Sequence, residues 1–191
     1  MGNFNIYLCG VGGQGIGLIS EVILRAVNKS GQNAVGVDTH GLAQRGGVVA
    51  SQIRIGESVY SPVVAPGTAD LVISLETTEA LRGAAEYCKP YGTLVYYKAD
   101  WQPLPVRLGK AKPIKAQHIE DFCSKNLLTL HSVLVETLPD PRMQNIALLA
   151  EICKKQLVPG VNRQNYQDAM SDLMNPEMLE ANLKIFNQLL T

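Results

Sequence analysis

The sequence predicts an α/β fold: a three-layer α/β/α architecture on a mixed, mainly parallel sheet, with a Rossmann-like start, a β-hairpin insertion and a helical C-terminal part. Three observations predict it. The apolar run at residues 5–9 breaks into the glycine-rich GVGGQG of residues 10–15 and then into a helix-period pattern, giving strand, turn and helix in that order. Val49, Ser51, Ile53 and Ile55 alternate with Gln52 and Arg54, the period of two of a half-buried strand. From residue 142 onward the apolar spacing is helical throughout. At 191 residues the chain is long enough for one well-buried domain, and the expectation is a single domain over 1–191 with helices 142–191 packed on it.

The elements follow in order. Residues 5–9 are the first strand, and Gly15 opens a helix whose apolar positions Ile16, Ile19, Ile23, Ala26 and Val27 recur three and four apart. Asn28, Ser30 and Gly31 end it, Gly31 as a left-handed cap. Residues 34–37 are a second strand, which a right-handed crossover sets parallel to the first. After strand 49–55, Gly56-Glu57-Ser58 reads as a tight turn into Val59-Tyr60, a hairpin where a regular doubly wound fold has a helix. Strand 71–75, helix 77–87 and strand 93–97 come next, then a proline- and glycine-rich connection with Trp101 as local anchor. A short strand at 114–116 and helix 118–125 precede three helices, 142–156, Arg163–Leu173 and Pro176–Leu190, the last with Asn175 as N-cap and Pro176 at its first position.

Composition narrows the function classes. Lys+Arg and Asp+Glu both number 17, so the chain lacks the net basic excess expected of a binder of nucleic acid or anionic membrane. The opening MGNFNIYLCG reads as a strand, without the basic start and apolar core of a signal peptide, and the apolar runs are too short to span a bilayer. The expectation is a soluble, cytoplasmic chain. Cys9, Cys88, Cys123 and Cys153 are widely scattered with no CxxC pair, so they read as small apolar residues rather than ligands of zinc or a cluster.

Two segments carry the chemistry. In the glycine-rich turn, Gly10 and Gly12 bring backbone amides within reach of an anion at the positive end of the following helix; the same glycines also serve close packing of strand on helix, and both readings stand. Gln14 places a hydrogen-bonding amide at the helix mouth. Asp38 falls at the end of the second strand, where a nicotinamide-binding fold keeps its ribose acid. The segment DTHGLAQRGG that begins there closes into a hairpin rather than a helix, and its His40, Gln44 and Arg45 lie among Gly41, Gly46 and Gly47. Such a loop brings a guanidinium and an amide toward a ligand or a neighbouring subunit.

No catalytic constellation emerges elsewhere. Glu76 and Glu79 sit one turn apart at a helix start, where acids favour the dipole. His118, at a helix start, and His131, at a strand end, have no partner by spacing. Asn145 is either a polar contact on an apolar helix or an exposed residue.

GVGGQGI and DTHGLAQRGG together, followed by QIRIGESVYSPVVAPGTADLVISLE, resemble the gamma-type subunit of 2-oxoacid:ferredoxin oxidoreductases. The DTHG-x-AQRGG form is similar in particular to the small beta subunit of the indolepyruvate enzymes. The resemblance covers residues 5–97 well, and 142–150 also fits.

It implies a subunit that is inactive alone, with thiamine diphosphate, Mg²⁺ and iron–sulfur clusters on larger partner subunits. Those subunits oxidatively decarboxylate a 2-oxoacid, indolepyruvate or another aryl pyruvate, to an acyl-CoA. Coenzyme A is the co-substrate and ferredoxin is reduced. The chain itself has no thiamine-type GDG motif and no cluster cysteines. On this resemblance Gly12, Gly13, Gln14 and Gly15, with His40, Gln44, Arg45 and Gly46, face a ligand or a subunit junction. They shape a cavity without transferring protons, and the isolated chain forms a homodimer. Two other readings remain: a stand-alone NAD-binding oxidoreductase using the glycine turn and Asp38, and a non-catalytic assembly scaffold.

Overall fold

The computed structural model describes residues 2–40, 47–101 and 104–191, excepting the side chains of His40, Leu104 and Pro105. The elements are β1 (Phe4–Val11), α1 (Ile16–Lys29), β2 (Ala34–His40), β3 (Val48–Ile55), β4 (Ala69–Ser74), α2 (Thr77–Tyr87), β5 (Cys88–Tyr97), α3 (Leu104–Arg107), α4 (Ala116–Lys125) and β6 (Thr129–Val133). A 3-10 turn, Pro141–Met143, then leads into α5 (Gln144–Lys154), α6 (Arg163–Leu173) and α7 (Pro176–Leu190).

The strands form one six-stranded sheet in the order β2-β3-β1-β4-β5-β6. β1, β4, β5 and β6 pair in parallel, whereas β3 is antiparallel to both of its neighbours, β1 and β2. Helices α1, α5, α6 and α7 cover one face of the sheet, and α2 and α4 cover the other. The mixed, mainly parallel α/β/α architecture is therefore as expected. The central strands are apolar on both sides: Ile6 and Leu8 of β1 enter the α1 core while Tyr7 and Cys9 enter the α2 core. On the α2 side the Tyr7 ring stacks on Tyr87 at 3.7 Å between centroids.

β1 and β2 run the same way, as expected, with β3 between them. β3 folds back from β2 and takes the place beside β1, with Ile53 and Ser51 fully buried. Two expectations are corrected. The hairpin from residues 56–58 into Val59-Tyr60 does not form, because both edges of β3 are already paired, to β1 and β2, and no edge is left for another strand. The chain instead crosses the sheet without a ladder, held by Arg54 Nη1 donating to the Ser61 carbonyl (3.1 Å) and by the Val64 N–H donating to Gln52 Oε1 (2.7 Å).

The second correction concerns residues 114–116, which form no strand. Lys115 is instead the N-cap of α4, its N–H donating to His118 Nδ1 at 2.9 Å. The strand that follows β5 in the sheet is β6, with His131 at its centre rather than its end. Outer positions fall to β2 and β6.

The C-terminal helices match their sequence signals. Asn162 caps α6, and Asn175 caps α7 through a bond from the Met178 N–H at 2.9 Å, with Pro176 inside the first turn. Gly31 takes the left-handed conformation just past α1, at φ 81°.

Candidate functional site at the carboxyl end of the sheet

The strand-to-helix turn after β1 lies at the carboxyl end of the parallel strands, where open α/β sheets bind ligands. The glycines of the motif, Gly10 within β1 and Gly12, Gly13 and Gly15 in the turn, have separate physical reasons. A Cβ on Gly10 would lie 2.9 Å from Gln14 Oε1 and 3.0 Å from Ile16 Cδ1. Gly15, the N-cap of α1, sits at φ 87°, and a Cβ there would lie 2.6 Å from Asn145 Nδ2. Gly12 donates its N–H to the Gly47 carbonyl at 2.9 Å. Gly13, at φ 98°, is exposed and has open space around it.

Gln14 is turned inward. Only 9% exposed, its Oε1 accepts the Val11 N–H (2.8 Å) while its Nε2 donates to the Leu75 carbonyl (3.1 Å). The side chain thus ties the end of β1 to the end of β4 and fills the crevice between two strands whose connecting helices, α1 and α2, leave to opposite faces. Buried backbone groups need such partners. Two hydrogen bonds explain a glutamine here without any ligand.

Asp38 lies within β2 opposite Ser51, with Thr39 and His40 continuing the strand beyond it, and its Oδ2 lies 3.6 Å from where a Cβ of Gly17 would be. Its carboxylate therefore flanks the first turn of α1, a turn with no acidic residue of its own. Because β3 intervenes, β2 is two strand spacings from β1, roughly 10 Å. In a nicotinamide-binding crossover the strand bearing the ribose acid adjoins the first strand. The filled crevice and the displaced Asp38 both argue against a dinucleotide in this turn.

Asn145 is buried at 7% exposure, its Oδ1 accepting the Ile146 N–H at 2.7 Å and its Nδ2 facing Gly15. Of its two sequence readings, the polar contact is the one realised. A cleft of about 440 Å³ opens beside it, lined by Leu18, Arg142, Asn145, Glu177 and Asn182 among others, where the starts of α1, α5 and α7 converge. At its rim the Arg142 guanidinium forms a bidentate pair with Asp140, Nη2 to Oδ2 2.6 Å and Nε to Oδ1 3.1 Å, which holds the Asp140 carboxyl below the usual carboxylate range.

Gln44, Arg45 and Gly46 lie outside the described residues, and of His40 only the backbone is described, paired with Val49 on β3. The returning flank of that loop, Gly47, is nonetheless anchored on Gly12. The two motif-bearing loops therefore meet at the same end of the sheet.

Other singled-out groups are structural. Glu76 caps α2 through the Glu79 N–H (2.8 Å) and also accepts the Trp101 N–H (3.3 Å). Glu79 pairs with Arg82 at 2.8 Å, and burial raises its pKa. The Cys9 thiol donates to the Glu79 carbonyl and is pushed up to about 12 by burial; Cys88 and Cys123 are pushed up to about 11, also mainly by burial. These thiols are protonated at neutral pH and unsuited to act as ligands or nucleophiles. Among the described residues, no group of three or more His, Cys, Asp or Glu is placed to hold a metal ion. The donor set of the described residues fits neither an iron–sulfur cluster nor Mg²⁺. No described helix is long and apolar enough to cross a membrane.

The family model described as pyruvate ferredoxin/flavodoxin oxidoreductase matches residues 5–190. An indolepyruvate oxidoreductase subunit IorB of Methanothermobacter thermautotrophicus is 51% identical over 80 residues, 42% of this chain and 40% of that protein. That match spans about two fifths of the relative's length. The subunit of the same name from Pyrococcus horikoshii is 28% identical over 192 residues, covering 98% of this chain and 94% of that one.

Two solved structures share the fold. The gamma subunit of a keto/oxoacid ferredoxin oxidoreductase from Geobacter sulfurreducens has a TM-score of 0.67 at 20% identity, covering 98% of this chain and 95% of that one. A 2-oxoglutarate:ferredoxin oxidoreductase of Magnetococcus marinus, with 2-oxoglutarate, coenzyme A and succinyl-CoA bound, has the same TM-score and identity. There 98% of this chain matches 30% of a longer one.

Proposed function

The chain belongs to the pyruvate ferredoxin/flavodoxin oxidoreductase family, and from that premise we propose that it is the gamma-type subunit of a 2-oxoacid:ferredoxin oxidoreductase acting on indolepyruvate or another aryl pyruvate. Thiamine diphosphate, Mg²⁺ and iron–sulfur clusters reside on larger partner subunits, and coenzyme A is the acyl acceptor. The relatives named as indolepyruvate oxidoreductase subunits support the substrate class. The relative with coenzyme A in its structure supports the acceptor. The complex works in the cytoplasm, and this chain is inactive alone.

The observation that carries this reading is the bond from the Gly12 N–H to the Gly47 carbonyl, which ties the glycine turn to the flank of the DTHGLAQRGG loop. Gly12 and Gly15 hold the turn that presents the exposed backbone of Gly13, and His40, Gln44, Arg45 and Gly46 are the loop residues we assign to the subunit junction. Gln14 serves from behind, as a brace that fixes the turn. The surface positions donors toward a carboxylate or phosphate held by the partner. Preorganised donors stabilise such charge without transferring a proton.

Arg45→Ala in the reconstituted complex tests the proposal. The expected result is a raised KM for coenzyme A, or loss of the larger subunit on size-exclusion chromatography. Unchanged assembly and turnover overturn the assignment of Arg45.

A further inference from the structure

The chain is neutral overall, but its charge is not evenly spread. From residue 101 through 119 there is no Asp or Glu, while Arg107, Lys110, Lys112 and Lys115 all fall in that stretch. All four side chains are exposed, and none forms an ion pair among the described residues. Two large apolar side chains accompany them in the open: Trp101 at 56% exposure and Leu108 at 59%. Trp101 and Lys115 also line a small cleft of about 160 Å³ with Val106 and Ile114, and with the acidic residues Glu76 and Asp100.

We propose that this basic strip, with Trp101 and Leu108 as its apolar anchors, is a docking surface for a carboxylate-rich face of the larger partner subunit. The proposal rests on the subunit reading above and adds which surface makes the contact. Charge selects the partner's sign: four unpaired cations meet an acidic face, and Arg107 is the member suited to bidentate contact with a carboxylate. The exposed indole and leucine favour a protein over a polyanion, since large apolar side chains are the anchors that protein interfaces bury. Asp100 and Glu120 bound the strip at its two ends and reject an acidic surface placed out of register.

Position supplies the continuity. The Trp101 N–H bonds to Glu76, just past the end of β4, and the residue between Glu76 and β4, Leu75, accepts the Gln14 amide from the glycine turn. The strip and the glycine turn thus flank one end of the sheet, so a single partner covers both. In the Magnetococcus enzyme the equivalent fold is 30% of a longer chain, a permanent neighbour of the remainder. A standing interface of that kind accommodates apolar anchors better than a transient encounter does.

The test uses the only tryptophan of the chain, Trp101. The chain labelled with 5-fluorotryptophan is titrated with the larger thiamine-binding subunit of the same organism and followed by fluorine NMR. Association rates are measured for wild type and for the Lys110→Glu/Lys112→Glu variant. The expected results are a shifted single fluorine resonance and roughly tenfold slower association of the variant at about 50 mM salt. The two rates should converge at about 0.5 M salt, where the Debye length falls to about 4 Å.

Assembly with an unmoved resonance, or with equal rates at low salt, overturns the docking surface alone. Tight binding of a DNA duplex at about 150 mM salt, lost in the variant while assembly is unaffected, also overturns it and makes the strip a nucleic-acid site. Failure of the wild-type chain to assemble at all overturns the subunit reading and the surface with it. Circular dichroism of the free variant separates these results from misfolding.

Discussion

Two segments at one end of the sheet treat their polar groups in opposite ways. The glycine turn, residues 10–15, uses them internally: Gln14 joins two strand ends, Gly12 holds the flank of the neighbouring loop, and Gly15 makes room for Asn145. The stretch from Arg107 to Lys115 turns its cations outward and gives them no partner within the described chain. A glycine fingerprint is thus in large part a packing device here, whereas a plain connecting segment carries the outward-facing charge. Burial, more than motif, separates what a residue does for its own fold from what it offers to another molecule.

That contrast can be broken by mutation. The largest effect is expected for Gly15→Ala, which combines left-handed backbone strain with a clash on Asn145. A loss of about 3 kcal/mol in urea unfolding is predicted, and a loss below about 1 kcal/mol would mean that the turn yields easily and is not packed as described.

Gln14→Ala leaves the Val11 N–H and the Leu75 carbonyl without their partner, at a cost of about 2 kcal/mol. Faster hydrogen exchange at the Val11 amide should accompany it; an unchanged rate there would remove the brace from the account. Asn145→Ala placed on top of Gly15→Ala should recover about 1 kcal/mol, because the two residues share one space, and strict additivity would deny the contact. The smallest effect belongs to the strip. Lys110→Glu/Lys112→Glu should leave the stability of the free chain within about 0.5 kcal/mol, and a larger loss by calorimetry would show those lysines serving the fold after all.

What could be read from the sequence follows the range of the interactions involved. α6 and α7 are legible to the residue, since Asn162, Asn175 and Pro176 act within one helical turn. The alternation at Val49, Ser51, Ile53 and Ile55 marks a strand correctly but is silent on its neighbours. The insertion of β3 between β1 and β2 is decided by long-range pairing, and the failed hairpin at Val59-Tyr60 follows from it. β6 is five residues long and only partly buried, too weak a pattern to stand out beside α4.

At the site, both strands run past their expected ends, β1 through Gly10 to Val11 and β2 through Asp38 to His40, and the inward turn of Gln14 depends on Leu75, 61 residues away. Net neutrality likewise conceals the strip, because balanced totals carry no information about where the charges lie.

The outer position of β2 in the sheet has a practical consequence. Residues 34–40, AVGVDTH, carry neither lysine nor proline, and Val37 on this strand is 36% exposed. Among the described residues Asp38 is the one charged side chain on this margin, a thin guard against further strands from solution. Sedimentation of the free chain at rising concentration is expected to show self-association that a charge at position 37 reduces. Co-expression with a larger subunit, or a lysine at position 37, is the direct route to soluble material.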